Sequence, residues 1–180
     1  MKRIAPLRLL IVAAALVLAA CADQSYNADY HSGSPAMLIN ANYAAAEALL
    51  KQLGDSLSHD QPLIVATLVN IDNLENSSTF GRLSSEQISA RFSRAGWRMI
   101  EMKFRDNVYM KRDQGELLLT REIRDVAQQH QAQAVIVGTY GVSNEAVFVN
   151  LKVIDPNTNV VMAVHDYALP KDVNIRSMLH

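Results

Sequence analysis

One apolar run decides the fold: Leu63-Ile64-Val65-Ala66-Thr67-Leu68-Val69, which follows Pro62. Its length and its β-branched side chains suit a strand that is buried on both faces. Strands of this kind occur in sheets that helices cover on both sides, so the run predicts an α/β protein.

Helices are expected before and after this strand in the sequence, because apolar residues recur in those segments at helical spacing. The predicted helices span residues 42–57, 79–95 and 116–130. Asn40 or Asn42 is available to cap the first helix, and Gly96 supplies the left-handed residue that ends the second. The apolar face of the third helix is formed by Leu119, Ile123, Val126 and Ala127.

Four further strands are predicted, at residues 97–103, 134–140, 146–154 and 160–167, with a turn at 155–158 between the last two. The order of elements is α-β-α-β-α-β-β-β, in which a βαβ crossover is right-handed. We therefore expect an α/β fold: a mixed sheet of about five strands, covered by two or three helices, with a C-terminal antiparallel hairpin.

The first twenty residues have the pattern of a secretion signal. Basic residues precede an apolar run from Leu9 to Ala20, which is too short for a transmembrane anchor before Asp23. Leu18-Ala19-Ala20-Cys21 matches the lipobox, which predicts cleavage between Ala20 and Cys21 and lipidation of Cys21. The competing interpretations are an ordinary cleavage site or a buried thiol. Cys21 is the only cysteine, so an internal disulfide is impossible.

Lipidation predicts where the protein resides. Two or more acyl chains anchor a protein stably, and Ala22 lacks the aspartate that favours retention in the inner membrane. We expect attachment to the outer membrane at its periplasmic face, through a flexible tether at residues 21–36 that carries one domain at residues 37–180. Without residues 1–20 the chain keeps 14 Lys and Arg against 18 Asp and Glu, a formal charge of −4 that argues against nucleic-acid binding.

The sequence contains no recognisable catalytic, cofactor or metal motif, so we expect none of these functions. There is no GxSxG elbow, GxGxxG or GxxxxGK[ST]. A hydrolase would need Asp72, Glu75 or His59 to converge on one cleft. The histidines are scattered, with no HExxH: His31, His59, His130, His165 and His180.

The most informative segment for function is the loop after the first strand. Loops at the carboxyl ends of central strands are where α/β sheets place ligand contacts, and helix N-termini accept anions. A simpler interpretation is that Ser77 or Ser78 only caps the helix and that Arg82 pairs with Glu86. Ile71, Leu74 and Phe80 add apolar area that would suit a protein partner. The candidate partner contacts are Asn70, Asp72, Asn76, Ser77, Ser78, Phe80 and Arg82.

Four blocks, in order, resemble the FlgO family of flagellar outer-membrane lipoproteins. They are residues 70–87, 115–122, 134–140 and 149–155, which lie within a resemblance that covers about residues 40–170. Phe80, Thr120 and Lys152 depart mildly from the family pattern, where leucine, serine and arginine are expected.

The resemblance implies a non-enzymatic structural role in the periplasmic ring around the flagellar basal body. The implied partners are the outer membrane, basal-body or ring proteins and further copies of the chain within a ring. An alternative from a different class is a lipid-anchored adaptor or binding module of another envelope assembly or transport complex, because such modules share a small α/β shape.

Overall fold

The structure is a computed structural model that describes residues 36–74, 77–102, 109–111, 117–119 and 121–180. The predicted signal peptide, Cys21, nearly all of the tether, Glu75 and Asn76 lie outside these residues. The described helices are α1 (Met37–Leu53), α2 (Thr79–Arg94), α3 (Arg121–Gln129) and α4 (Val173–Ser177). The described strands are β1 (Leu63–Ala66), β2 (Val69–Asn70), β3 (Met99–Met102), β4 (Tyr109–Lys111), β5 (Leu117–Leu119), β6 (Ala134–Val142), β7 (Ala146–Ile154) and β8 (Val161–Pro170).

The main sheet has the order β3-β1-β6-β7-β8, and β2 pairs with β6 beyond the end of β1. The strands β3, β1 and β6 are parallel, whereas β6, β7 and β8 are antiparallel. This arrangement confirms the predicted mixed sheet and its C-terminal hairpin. Six strands form a sheet five positions wide, because β1 and β2 share one edge of β6.

Each face of the sheet has its own apolar core. On the first face, α1 and α2 pack over side chains that include Val65, Ile136 and Leu151. On the second face, α3 brings Ile123 and Ala127 against a smaller set of strand residues that are also buried: Ile64, Ala66, Val69, Val135, Val137 and Ile154. The apolar run at β1 is therefore covered on both sides, as its composition predicts.

The run is broken into two strands, which corrects the prediction of a single strand at residues 63–69. β1 ends at Ala66, and β2 begins at Val69. The cause lies at Leu68, whose side chain is fully buried and whose carbonyl faces the start of α2. A β-carbon at Gly81 would lie 2.2 Å from that carbonyl oxygen, so the closeness of the two backbones requires a glycine there.

α1 begins five residues earlier than predicted, at Met37, and ends at Leu53. Its buried face continues back to Met37, so neither Asn40 nor Asn42 caps the helix. Asn42 lies inside the helix and is fully buried, with hydrogen bonds to Gln87 (2.7 Å) and to the Tyr167 hydroxyl. These bonds join α1 to α2 and to β8.

α2 has the predicted start, whereas α3 is shorter than predicted. Ser78 caps α2, and Gly96 follows its end at φ +90°, as expected. The prediction of a third helix from residue 116 is wrong, because α3 begins at Arg121 and residues 117–119 form β5, antiparallel to β4. A run of three leucines fits a strand as well as a helix, so periodicity cannot separate the two.

The last strand lies at the edge of the sheet, and the first helix packs against it. Gln52 of α1 donates to the Val164 carbonyl (2.8 Å) and accepts from the Val164 amide (3.2 Å). α4, which was not predicted, follows β8 and has Asp172 as its cap. Its end reaches α2, where Met178 O accepts from the Phe80 amide (2.8 Å).

Candidate functional site

The candidate site begins where β2 ends, in the loop at residues 70–78, hereafter the contact loop. Asn70 is the last residue of β2, and its Oδ1 accepts from the Asp72 amide (2.9 Å), which turns the chain away from the sheet. Ile71 and Asp72 are exposed, and Ile71 keeps 44% of its accessible surface. The contact loop therefore presents an acidic and an apolar side chain side by side.

The inner end of the contact loop is held in the core. Ser78 is only 4% exposed; its Oγ accepts from the Gly81 amide (3.2 Å) and from the Tyr140 hydroxyl (2.8 Å). Phe80 is fully buried and meets the Tyr140 ring edge-on, with 5.2 Å between centroids. The prediction that Ser78 and Phe80 touch a partner is corrected, because both side chains are inside the folded domain.

Arg82 lies on the exposed side of α2, next to the contact loop. Its guanidinium donates to Ser77 O (3.1 Å) and to Thr79 Oγ1 (3.0 Å). These bonds replace the expected pairing with Glu86 and hold a positive charge at the base of the loop. Ser77 is half-buried, and its hydroxyl reaches Leu68 O at 3.4 Å.

An anion site at the start of α2 does not fit this geometry. The Phe80 amide is occupied by Met178 O, and the Gly81 amide is occupied by Ser78 Oγ. A bound anion would have to displace both acceptors before it could use these donors. Local sequence patterns could not indicate the bond between Phe80 and Met178, because these residues are 98 positions apart.

The contact loop borders an open groove of about 500 Å³ on the second face of the sheet. Its floor is Thr139 and Gly141 of β6, and Phe148 stands on its far side with 57% of its surface exposed. On β7 and β8, Asn150 Nδ2 donates to Asp166 Oδ1 (2.5 Å). Sequence reasoning missed this groove, although an aromatic residue at an outward position of β7 was a usable signal.

Of the residues that a hydrolase would need, the two that the structure describes, His59 and Asp72, do not converge. His59 precedes β1 and stacks on Trp97, with 4.0 Å between centroids, whereas Asp72 follows the opposite end of the β1–β2 run. Among the described residues no group of three or more His, Cys, Asp or Glu could hold a metal ion. No helix in the described ranges combines the length and apolar character needed to cross a bilayer.

The family model described as "FlgO protein" matches residues 43–174, from α1 to the first turn of α4. The chain belongs to the FlgO family. This confirms the resemblance drawn from the sequence, and it supports a non-enzymatic envelope lipoprotein. Among curated proteins, none matches this FlgO-family sequence.

One solved structure shares the fold at low sequence identity, and two others are less similar. The LpoB C-terminal domain from Salmonella enterica is 11% identical, with 73% of this chain and 97% of that chain covered and a TM-score of 0.54. The corresponding Escherichia coli domain is 16% identical, with 71% and 96% covered and a TM-score of 0.47. A PelC dodecamer from Paraburkholderia phytofirmans is 15% identical, with 63% and 74% covered and a TM-score of 0.41. At 11% identity, the likeness of this FlgO-family chain to the Salmonella enterica domain concerns fold alone.

Proposed function

We propose that this protein is a lipid-anchored structural component of the periplasmic ring around the flagellar basal body, attached to the outer membrane and supporting motility. The observation that carries the proposal is the FlgO-family match over residues 43–174. The residues before it add a lipobox at the end of an apolar run. A structural role also agrees with a loop whose side chains serve caps and turns rather than a reaction centre.

Cys21 carries the anchor in this proposal. Cleavage after Ala20 exposes its amine, and acyl chains on the residue each contribute roughly 0.8 kcal/mol per buried methylene to membrane affinity. Residues 22–36 then act as the tether. A coil of this length spans roughly 20 Å, which lets the domain stand off the lipid surface.

The exposed part of the contact loop is the proposed surface for a ring protein. Asn70, Asp72 and Ser77 lie on it, with Arg82 at its base, and Asn76 completes the set although it lies outside the described residues. Opposite charges at Asp72 and Arg82 suit a partner with a polar, mixed-charge rim. A ring of several copies would repeat this contact around its circumference.

Two adjacent substitutions separate lipidation from membrane choice. Cys21→Ser removes the acyl acceptor, whereas Ala22→Asp keeps the acceptor and places an aspartate where it favours inner-membrane retention. We expect strains that carry either variant to swim poorly, and we expect both variant proteins to be missing from purified basal bodies. The mass of the acyl chains should be retained only in Ala22→Asp. Mass spectrometry, membrane fractionation and swimming assays measure these outcomes. Normal swimming of a deletion strain would refute the proposed function.

The contact loop is tested by reversing one exposed charge. Asp72→Lys should lower the amount of protein in basal bodies while its lipidation and folding stay normal. Asp125→Lys on α3 is the matched control, because Asp125 is also exposed and lies on another element. If the chain instead co-purifies with a transport or secretion assembly and never with basal bodies, the adaptor function replaces the flagellar one.

A further inference from the structure

Among the described residues, helix α3 covers only about half of the second face of the sheet. α3 packs over β1 and the first part of β6, but β7 and β8 carry outward side chains that no described element covers. Phe148 is 57% exposed and Val164 is 44% exposed. The outward residues form a surface that we call the open face: Phe148, Asn150, Lys152, Val164, Asp166 and Ala168.

The edge of the sheet next to the open face is protected against the addition of another strand. Gln52 occupies both outward backbone groups of Val164. Farther along the same edge, Pro170 has no amide to offer to an added strand. Side-chain caps and prolines are devices that prevent strand addition at an edge. The open face has no comparable device.

The shape of the open face is self-complementary. In one row across the strands, Phe148 lies between Gly141 of β6 and Ala168 of β8. A large ring thus stands between two positions with little or no side chain. A surface with a projection and hollows of this kind can accept the projection of an identical surface.

The charges of the open face are self-complementary as well. The carboxylate of Asp166 and the amine of Lys152 lie in adjoining rows, since Asp166 is opposite Asn150 and Lys152 is opposite Val164. Within the part of the chain that is described, the one ion pair joins Arg91 and Glu47, so Lys152 and Asp166 are not paired with each other. A two-fold axis that runs parallel to the strands, between β7 and β8, places Phe148 of one copy over Ala168 of the other. The same axis brings Lys152 of one copy beside Asp166 of the other.

We propose that the open face binds a second copy of this chain in a two-fold, face-to-face dimer. Sheets pack about 10 Å apart in this way, with one layer of side chains from each sheet between them. The spacing of the strands and the rise per residue give the open face dimensions of roughly 14 by 17 Å. A dimer through this face therefore buries less than the roughly 800 Å² per partner of a standard interface. The dimer is weak in solution, and attachment to a shared surface raises its local concentration.

This contact is independent of the proposed function. A two-fold contact closes after two copies, so it pairs subunits and does not by itself propagate a ring. The dimer is measured on purified protein, whereas ring membership is measured in basal bodies. Failure of one measurement therefore leaves the other intact.

Charge reversal gives a test with an internal rescue. Asp166→Lys and Lys152→Asp each place like charges at both contacts of a homodimer, and each should raise the dissociation constant at least about tenfold. An equimolar mixture of the two variants restores an opposite-charge pair at both contacts. We therefore expect the mixture to dimerise nearly as well as the unsubstituted chain.

The readout is sedimentation equilibrium of the full chain in a density-matched nonionic detergent, at concentrations up to about 0.1 mM. Asp55→Lys is the matched control, because Asp55 is exposed and distant in sequence from the open face. Circular dichroism verifies folding of every variant. A monomeric unsubstituted chain would overturn the proposal and leave the face to a different protein, and so would single variants that dimerise normally or a mixture that stays monomeric.

Discussion

The hydroxyl of Tyr140, on the central strand β6, donates a 2.8 Å hydrogen bond to Ser78 Oγ, the atom that caps α2. Both residues are buried, and Ser78 Oγ also accepts from the Gly81 amide. One oxygen thus joins the middle of the sheet to the start of the helix that leaves the contact loop. The position of this loop depends on that junction.

We expect Ser78→Ala to destabilise the domain more than Tyr140→Phe does. Tyr140→Phe removes one hydrogen bond, which costs about 1 kcal/mol. Ser78→Ala removes the cap and leaves the Tyr140 hydroxyl buried without its acceptor, at about 2 kcal/mol. Urea unfolding of both single variants and of the double variant measures the coupling energy. Strict additivity would contradict the described junction.

Replacing either of two tightly packed glycines by alanine should destabilise the fold. A β-carbon at Gly138 would lie 2.7 Å from Leu68 Cγ and from Leu151 Cδ2, and one at Gly81 would lie 2.2 Å from a backbone oxygen. Overpacking of this kind costs roughly 1–3 kcal/mol, and Gly81→Ala should be the worse because backbone has to move. Gly141→Ala is the control, since its nearest neighbour lies at 3.4 Å. If Gly141→Ala lowers the thermal unfolding temperature as much as the other two substitutions do, this account is refuted.

Gln52→Ala should expose the edge of the sheet. The Gln52 amide satisfies both backbone groups of Val164, so its removal leaves a donor and an acceptor open to water or to another strand. We expect faster hydrogen exchange at the Val164 amide and more aggregation on storage. Gln128→Ala is the control, because it removes an exposed glutamine that lies on a different helix, α3. Equal exchange in both variants would show that Gln52 does not protect the edge.

Asp155 should make stability depend on pH in the acid range. Burial acts to raise the pKa of Asp155, but hydrogen bonds from Asn157 and Thr158 outweigh it and hold the pKa below its ordinary value. A folded pKa below the unfolded one stabilises the fold above the unfolded value of about 3.9, and this contribution disappears as pH falls through the folded pKa. Urea unfolding between neutral and acid pH should therefore show a smaller loss for Asp155→Asn than for the unsubstituted chain. An identical pH dependence in both would refute the prediction.

Local patterns were sufficient for much of this fold. β7 has the predicted bounds, 146–154, because its alternating apolar residues are a property of the strand alone. α2 starts at Thr79 as predicted, since its cap and its terminal glycine are also local signals. The antiparallel hairpin of β7 and β8 follows from the turn at Asp155, whose carboxylate accepts from the Asn157 amide (2.8 Å).

The remaining features depend on residues that are distant in the sequence. The break between β1 and β2 arises because Leu68 meets Gly81, and Phe80 is buried because Tyr140 lies beneath it. For the candidate site, the sequence identified the contact loop but could not distinguish core residues from surface residues within it. The open face was missed because it exists only where α3 stops short of β7.

The first helix of this domain rests on its last strand, and Met178 closes the start of α2. Contacts between segments separated by about a hundred residues give the native state a high contact order, which slows folding. Synthesis of residues 161–178 must precede completion of the first core, so the N-terminal part of the domain cannot complete this core by itself. A chain with this topology stays unfolded for longer than one built from local contacts, which is the state that the proposed secretion requires.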